Sequence, residues 1–167
     1  MFIFLSVSAL LLASGSRAAP PPLGPGGKIG SMTLARGPES QASIELWKYY
    51  DAVLPTPGHY RRTCTLPSEK SLFIGWGDWE QTPKALDAAW KQLKYELWFD
   101  GHQINLSRFG ASDRLLYSFP AAGGKNVILR EWSVILRGLT PGKHVIRYRS
   151  ESSLGTTDAT WTFTVLG

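Results

Sequence analysis

The feature that most limits what this chain can become lies near its C-terminus. Over residues 143–149, His144, Ile146 and Tyr148 fall on one side, and Val145, Arg147 and Arg149 on the other. Residues 160–165 repeat the pattern, with Trp161, Phe163 and Val165 set against threonines. Successive side chains of a strand point to opposite faces, so period-two alternation is a strand signature. Two such segments in succession, each with one apolar side, call for a sheet that is buried on one face and wet on the other.

The chain upstream reads the same way. Residues 60–66 (YRRTCTL) suit an edge strand, and 72–76 (LFIGW) a short central one. Residues 95–99 and 102–106 are strands joined by Asp100-Gly101, a strong hairpin-turn signal. Residues 127–136 (VILREWSVIL) read as one strand with Trp132, Val134 and Leu136 on its apolar face, ended by Gly138. Gly123-Gly124-Lys125-Asn126 lacks phosphate-loop spacing and reads as a hairpin turn. Residues 44–50 fit a strand or a short helical turn. One helix interrupts the series over 83–94. Thr82 caps it, Pro83 suits its first position, and Leu86, Ala89, Trp90 and Leu93 share a face. The expected fold is all-β: a β-sandwich with one short inserted helix.

Leu139-Thr140-Pro141-Gly142-Lys143-His144, followed by alternating VIRYR, resembles a corner of Ig-like and fibronectin type III-like domains. That corner precedes their penultimate strand and carries Leu-x-Pro-Gly-x-Tyr, with the Tyr hydroxyl closing onto upstream backbone. The resemblance implies an Ig-like sandwich in which Leu139, Pro141, Gly142 and His144 form the corner. His144 takes the aromatic place, with a shorter reach and one hydrogen bond to donate. Four features also recur in one order: Trp76-Gly77, the helix TPKALDAAWKQL, a strand ending Phe99-Asp100-Gly101-His102-Gln103, and the Pro-Gly-x-His turn. Over roughly 70–165 this is similar to a group of exported bacterial proteins without an established activity. It implies a fold and an address, and no chemistry.

The address has its own signal. Residues 1–12 (MFIFLSVSALLL) are apolar and uncharged, about the length of a signal-peptide core and short for a bilayer span. Small residues follow, so 1–19 is read as a signal peptide. The stretch 20–41, opening PPPLGPGGKIG, reads as a Pro/Gly-rich linker. The sandwich is expected over 42–167. The expected location is secreted or cell-envelope, with membrane contact only through an uncleaved signal segment.

Composition narrows function by exclusion. Charged residues are 19% of the 167 and the net charge is +5, but the cations are dispersed. Nucleic-acid binding is therefore not expected. A single cysteine, Cys64, forbids an internal disulfide and reads as a buried small hydrophobe. His59, His102 and His144 lie at turns without ligand spacing, and no Asp-x-Asp-x-Asp loop occurs, so no metal or cofactor is expected. Asp78 and Glu80 flank Trp79, but a chain of this size has little room for the cleft a carboxylate pair needs. No nucleophile elbow appears.

Tryptophan is the feature left over: there are seven. Trp132 and Trp161 match apolar strand faces. Trp98 points away from Tyr95, Leu97 and Phe99, and Trp79 lies in an expected loop between two acids. These two are the candidate ligand-binding residues. The function expected is a non-enzymatic, extracytoplasmic binding or adhesion module for an unknown protein or glycan at the cell surface. One alternative is a carbohydrate-binding module stacking sugar on Trp79 and Trp98. Another is a secreted enzyme or enzyme inhibitor.

Overall fold

The computed structural model describes residues 19–45, 57–152 and 155–167. Residues 1–18 of the expected signal peptide (1–19) and residues 46–50 of the uncertain segment 44–50 lie outside the described residues. Among the described residues thirteen strands occur in chain order. β1 is Lys28–Ile29, β2 Met32–Arg36, β3 Ile44–Glu45, β4 Gly58–Leu66, β5 Ser71–Phe73 and β6 Gly77–Glu80. Helix α1 (Pro83–Gln92) follows, then β7 Lys94–Phe99 and β8 His102–Ile104. The remainder are β9 Ala111–Phe119, β10 Lys125–Trp132, β11 Val134–Arg137, β12 Gly142–Ser152 and β13 Gly155–Val165.

They form an all-β sandwich with one short helix, as expected. One sheet has the order β4-β13-β12-β7-β8, the other β1-β2-β11-β5-β3. The two alternating segments that opened the reading are β12 and β13, paired antiparallel from Gly142↔Val165 to Ser152↔Gly155. Their apolar sides face inward: Ile146, Tyr148, Ala159, Trp161 and Phe163 are buried, with Leu97 and Phe99 of β7. Leu34, Leu72, Ile74, Val134 and Leu136 meet them from the opposite sheet. Each such side chain removed from water contributes about 1.5–3 kcal/mol. The Tyr148 hydroxyl donates to the Ile74 carbonyl at 3.4 Å, crossing the interior.

A third, three-stranded sheet, β6-β10-β9, extends this sandwich. Residues 127–136 were expected to be one strand, but the chain breaks at Ser133 into β10 and β11. β5 and β6 break in step, between Phe73 and Gly77. The pairing survives the kink: Ile74 N–H donates to Val134 O at 2.9 Å and Trp132 N–H to Trp76 O at 2.8 Å. Glycine is required here because the two strands run so close. A Cβ on Gly75 would overlap the Trp132 carbonyl, and one on Gly77 the Arg130 carbonyl. The kink also moves Trp132 off the face it was expected to share with Val134 and Leu136. It turns instead toward α1 and packs on Trp90, ring centroids 4.3 Å apart.

The linker expectation needs correction. Residues 23–41 belong to the sandwich. Leu23 bridges to Ile104 at the outer edge of β8, and β2 pairs with β11. Ile29, Met32 and Leu34 are buried. The Pro and Gly residues shape turns between short strands; Gly26 and Gly30 have positive φ. Three apolar side chains suffice to anchor such a stretch, because the sheet supplies the backbone partners.

Candidate functional site

The two candidate tryptophans do not form a platform. Trp79 is on β6, not in a loop, and Trp98 is on β7, in a different sheet. Trp79 is half-buried and meets the Phe119 ring edge-on at 5.4 Å. Trp98 is half-buried on the outer side of its sheet, with the Arg147 guanidinium 5.2 Å from its ring centre. Arg147 is itself held by Asp158 through Nε at 3.2 Å and Nη2 at 2.5 Å. That pairing draws the Asp158 carboxyl below its usual range.

Most of the other tryptophans are structural. Trp161 packs against Trp76 at 5.5 Å, Trp76 against Tyr95 at 6.1 Å, and Tyr95 against Trp132 at 5.3 Å. With Trp90 on α1, they make a continuous aromatic seam from the core to the helix. Asp78 and Glu80 lie on β6 beside the seam. Burial pushes the Asp78 carboxyl up, partly offset by the Trp79 N–H it accepts at 2.8 Å. Among the described residues, no three of His, Cys, Asp and Glu gather as a metal site.

Leu139 is buried, and His144 reaches back to Thr140 and across to Asp100, whose φ is 47°. The Asp100-Gly101 turn and the Pro-Gly-x-His turn, read as separate punctuation, are thus joined through side chains. His144 makes two contacts where one was expected.

The surface that sequence reading missed is the arm formed by β9 and β10. β9 spans nine residues, and none of them is buried. It is the outer strand of its sheet, and among the described residues no strand pairs with its free edge. Leu115 is 50% exposed and Tyr117 73%; between Leu116 and Phe119 the β9–β10 register shifts by one residue, and Ser118 there has a φ of 49°. The charges of β9 are engaged within the molecule. Asp113 receives Arg130 through Nε at 2.6 Å and Nη2 at 2.7 Å, and Arg130 Nη1 also donates to Asp87 of α1 at 2.8 Å. This holds the Asp113 carboxyl below its usual range. Arg114 pairs with Glu39 at 2.8 Å and Glu131 at 3.4 Å. What the arm presents outward is two exposed apolar side chains and an edge with no strand partner among the described residues. The signal available was the Gly123-Gly124 turn, which implied a hairpin whose first strand had to lie over 111–119.

No family model matches the chain, and no curated protein matches it. Solved structures similar to it include PbICP-C in complex with falcipain-2, at 16% identity and TM-score 0.34, covering 73% of this chain and 97% of that one. The M1 domain from titin is similar at 11% identity and TM-score 0.30, covering 66% and 92%. The cysteine protease inhibitor EhICP2 from Entamoeba histolytica is similar at 13% identity and TM-score 0.31, covering 65% and 98%. These likenesses are remote, and the functional reading rests on the chain's own surface.

Proposed function

We propose that this chain is a non-enzymatic Ig-like binding module, acting outside the cytoplasm, that takes an extended segment of a partner protein along the edge of β9. The observation behind this is the exposed pair Leu115 and Tyr117 on a strand with a free edge. Unpaired strand N–H and C=O groups template the addition of another strand. Here the two charges of the strand are tied down inside the molecule, so the centre of the edge, Leu115-Leu116-Tyr117, is left uncharged. Aromatic anchors such as Tyr117 supply much of the energy in protein contacts. The extracytoplasmic address rests on the character of residues 1–19.

The test is a random-peptide library panned on the wild-type protein and on a Leu115→Ser/Tyr117→Ser variant. Peptides that bind the wild type should carry apolar residues at alternate positions and lose at least tenfold in affinity on the variant. Equal binding to both sinks the reading. If the natural partner proves to be an enzyme that is blocked by the arm, the module is an inhibitor.

A second reading is favoured by one observation: the Trp98 indole, half-exposed on an outer sheet face beside Arg147, with Gln103 opposite it in register. A single ring flanked by polar groups suits a sugar face. Glycan-array binding that survives Trp98→Ala would remove it.

A further inference from the structure

His144 is 6% exposed, between the rings of Phe99 at 5.5 Å and Phe163 at 5.6 Å. Its Nδ1 lies 2.7 Å from Asp100 Oδ2, and its Nε2 lies 2.8 Å from the Thr140 carbonyl oxygen. A carbonyl only accepts, and so does an ionised carboxylate. The carboxylate's other oxygen already accepts the Val145 N–H at 2.8 Å. A neutral imidazole carries one N–H and one lone pair. It would satisfy one of the two contacts and set a lone pair against an acceptor in the other. The geometry needs a proton on each ring nitrogen.

We propose that His144 is held as an imidazolium and works as a proton-operated lock, fastening the β7–β8 turn to the connection between β11 and β12. The proposal is independent of the arm reading. Closing the lock takes one proton from solvent onto the ring; opening returns it. Closed, the ring ties Asp100 to Thr140, and Asp100 keeps a left-handed backbone that a non-glycine residue rarely adopts. Open, one contact loses its proton, and the Asp100 carboxylate and the Thr140 carbonyl compete for a single N–H. The Asp100 carboxylate is already partly exposed, so on losing its cation it can turn to water, and the turn is the part that gives way.

The groups facing the ring come from each neighbouring element. The β7–β8 turn supplies Asp100, whose carbonyl is also 3.0 Å from His102 Nδ1. The connection supplies Thr140, with its hydroxyl 3.5 Å from Nε2 and 3.7 Å from the Met32 sulfur of β2. β13 supplies Phe163, and β7 supplies Phe99. Lys143 precedes His144 on β12 and is exposed. Among the described residues, Asp100 is therefore the charged partner at contact distance.

The experiment uses the full chain with 15N-labelled histidine. At acid pH the His144 ring should show protons on both nitrogens, exchanging slowly, while those of exposed His59 and His102 exchange fast. As pH rises, one should be lost, and the exchange protection of the Val145 amide, corrected for intrinsic base catalysis, should fall in step. His144→Gln should abolish that pH dependence. If that variant does not fold, Asp100→Asn keeps an acceptor without the charge and should leave His144 singly protonated where the wild type is doubly protonated. The inference is overturned by a wild-type ring with a bare nitrogen at every pH where the chain is folded. It is equally overturned if Val145 protection follows pH alike in the wild type and His144→Gln, or if Asp100→Asn leaves His144 doubly protonated.

Discussion

Glu131 is 9% exposed on β10, facing the half-exposed Arg114 and close to Glu39 and Glu45. Burial, more than any neighbour, pushes its carboxyl up from 4.5 to about 7; Arg114 opposes this, and the two other glutamates add to it. The folded chain keeps this proton at a pH where the unfolded chain has released it. The stabilising contribution is complete below about pH 4.5 and is lost as pH rises to about 7. Glu131→Gln should therefore be more stable than the wild type at pH 8, by about 3 kcal/mol. The two should converge near pH 4.5. Urea midpoints across this range measure it, and parallel curves would contradict it. None of this was legible in the sequence, where Glu131 reads as a polar position in an alternating strand. The groups that act on it, Arg114, Glu39 and Glu45, are all distant along the chain. His144 was half legible: its place in the corner could be read, but its Asp100 partner could not, because a turn motif does not reveal where its side chain reaches.

At the scale of elements, legibility followed the source of each element's stability. Helix α1 carries its own instructions. Ala85 N–H donates to the Thr82 hydroxyl at 3.2 Å, and Pro83 opens the first turn. The helix ends at Gln92, two residues before the expected 94, because Leu93 is already extended and leads into β7. Thr82→Ala should cost about 1 kcal/mol in chemical denaturation with no change in fold; no loss at all would mean that Arg130 and the aromatic seam hold the helix unaided. The strands β2, β6 and β9 carry no such instructions. β6 is Gly-Asp-Trp-Glu and exists because β10 pairs with it from Ile128↔Glu80 to Glu131↔Gly77. β9 is wet on both faces, so nothing selects for alternation along it. An element defined by its neighbour is invisible to a method that reads one segment at a time.

The whole molecule joins a sandwich that was foreseen to an arm that was not. The sandwich could be read because β12 and β13 announce a one-sided sheet and the corner fixes how they are entered. Its N-terminal boundary was misread, because Pro and Gly at 20–30 outweigh three apolar side chains in any composition. A chain shortened to begin at Ala19 should retain the wild-type melting temperature. One begun at Ala42 would uncover the β11 edge and the face under Met32 and Leu34, and should melt at least 10 °C lower or fail to fold, as followed by circular dichroism. Equal melting would return 20–41 to the status of a spacer. The central claim concerns the arm, and it is tested most directly by placing a photo-crosslinking side chain at Tyr117, with a control at exposed Thr63 on β4, and irradiating the cells that make the protein. A discrete adduct is expected from position 117 that is absent from position 63. Adducts from 63 alone, or from neither, would contradict it.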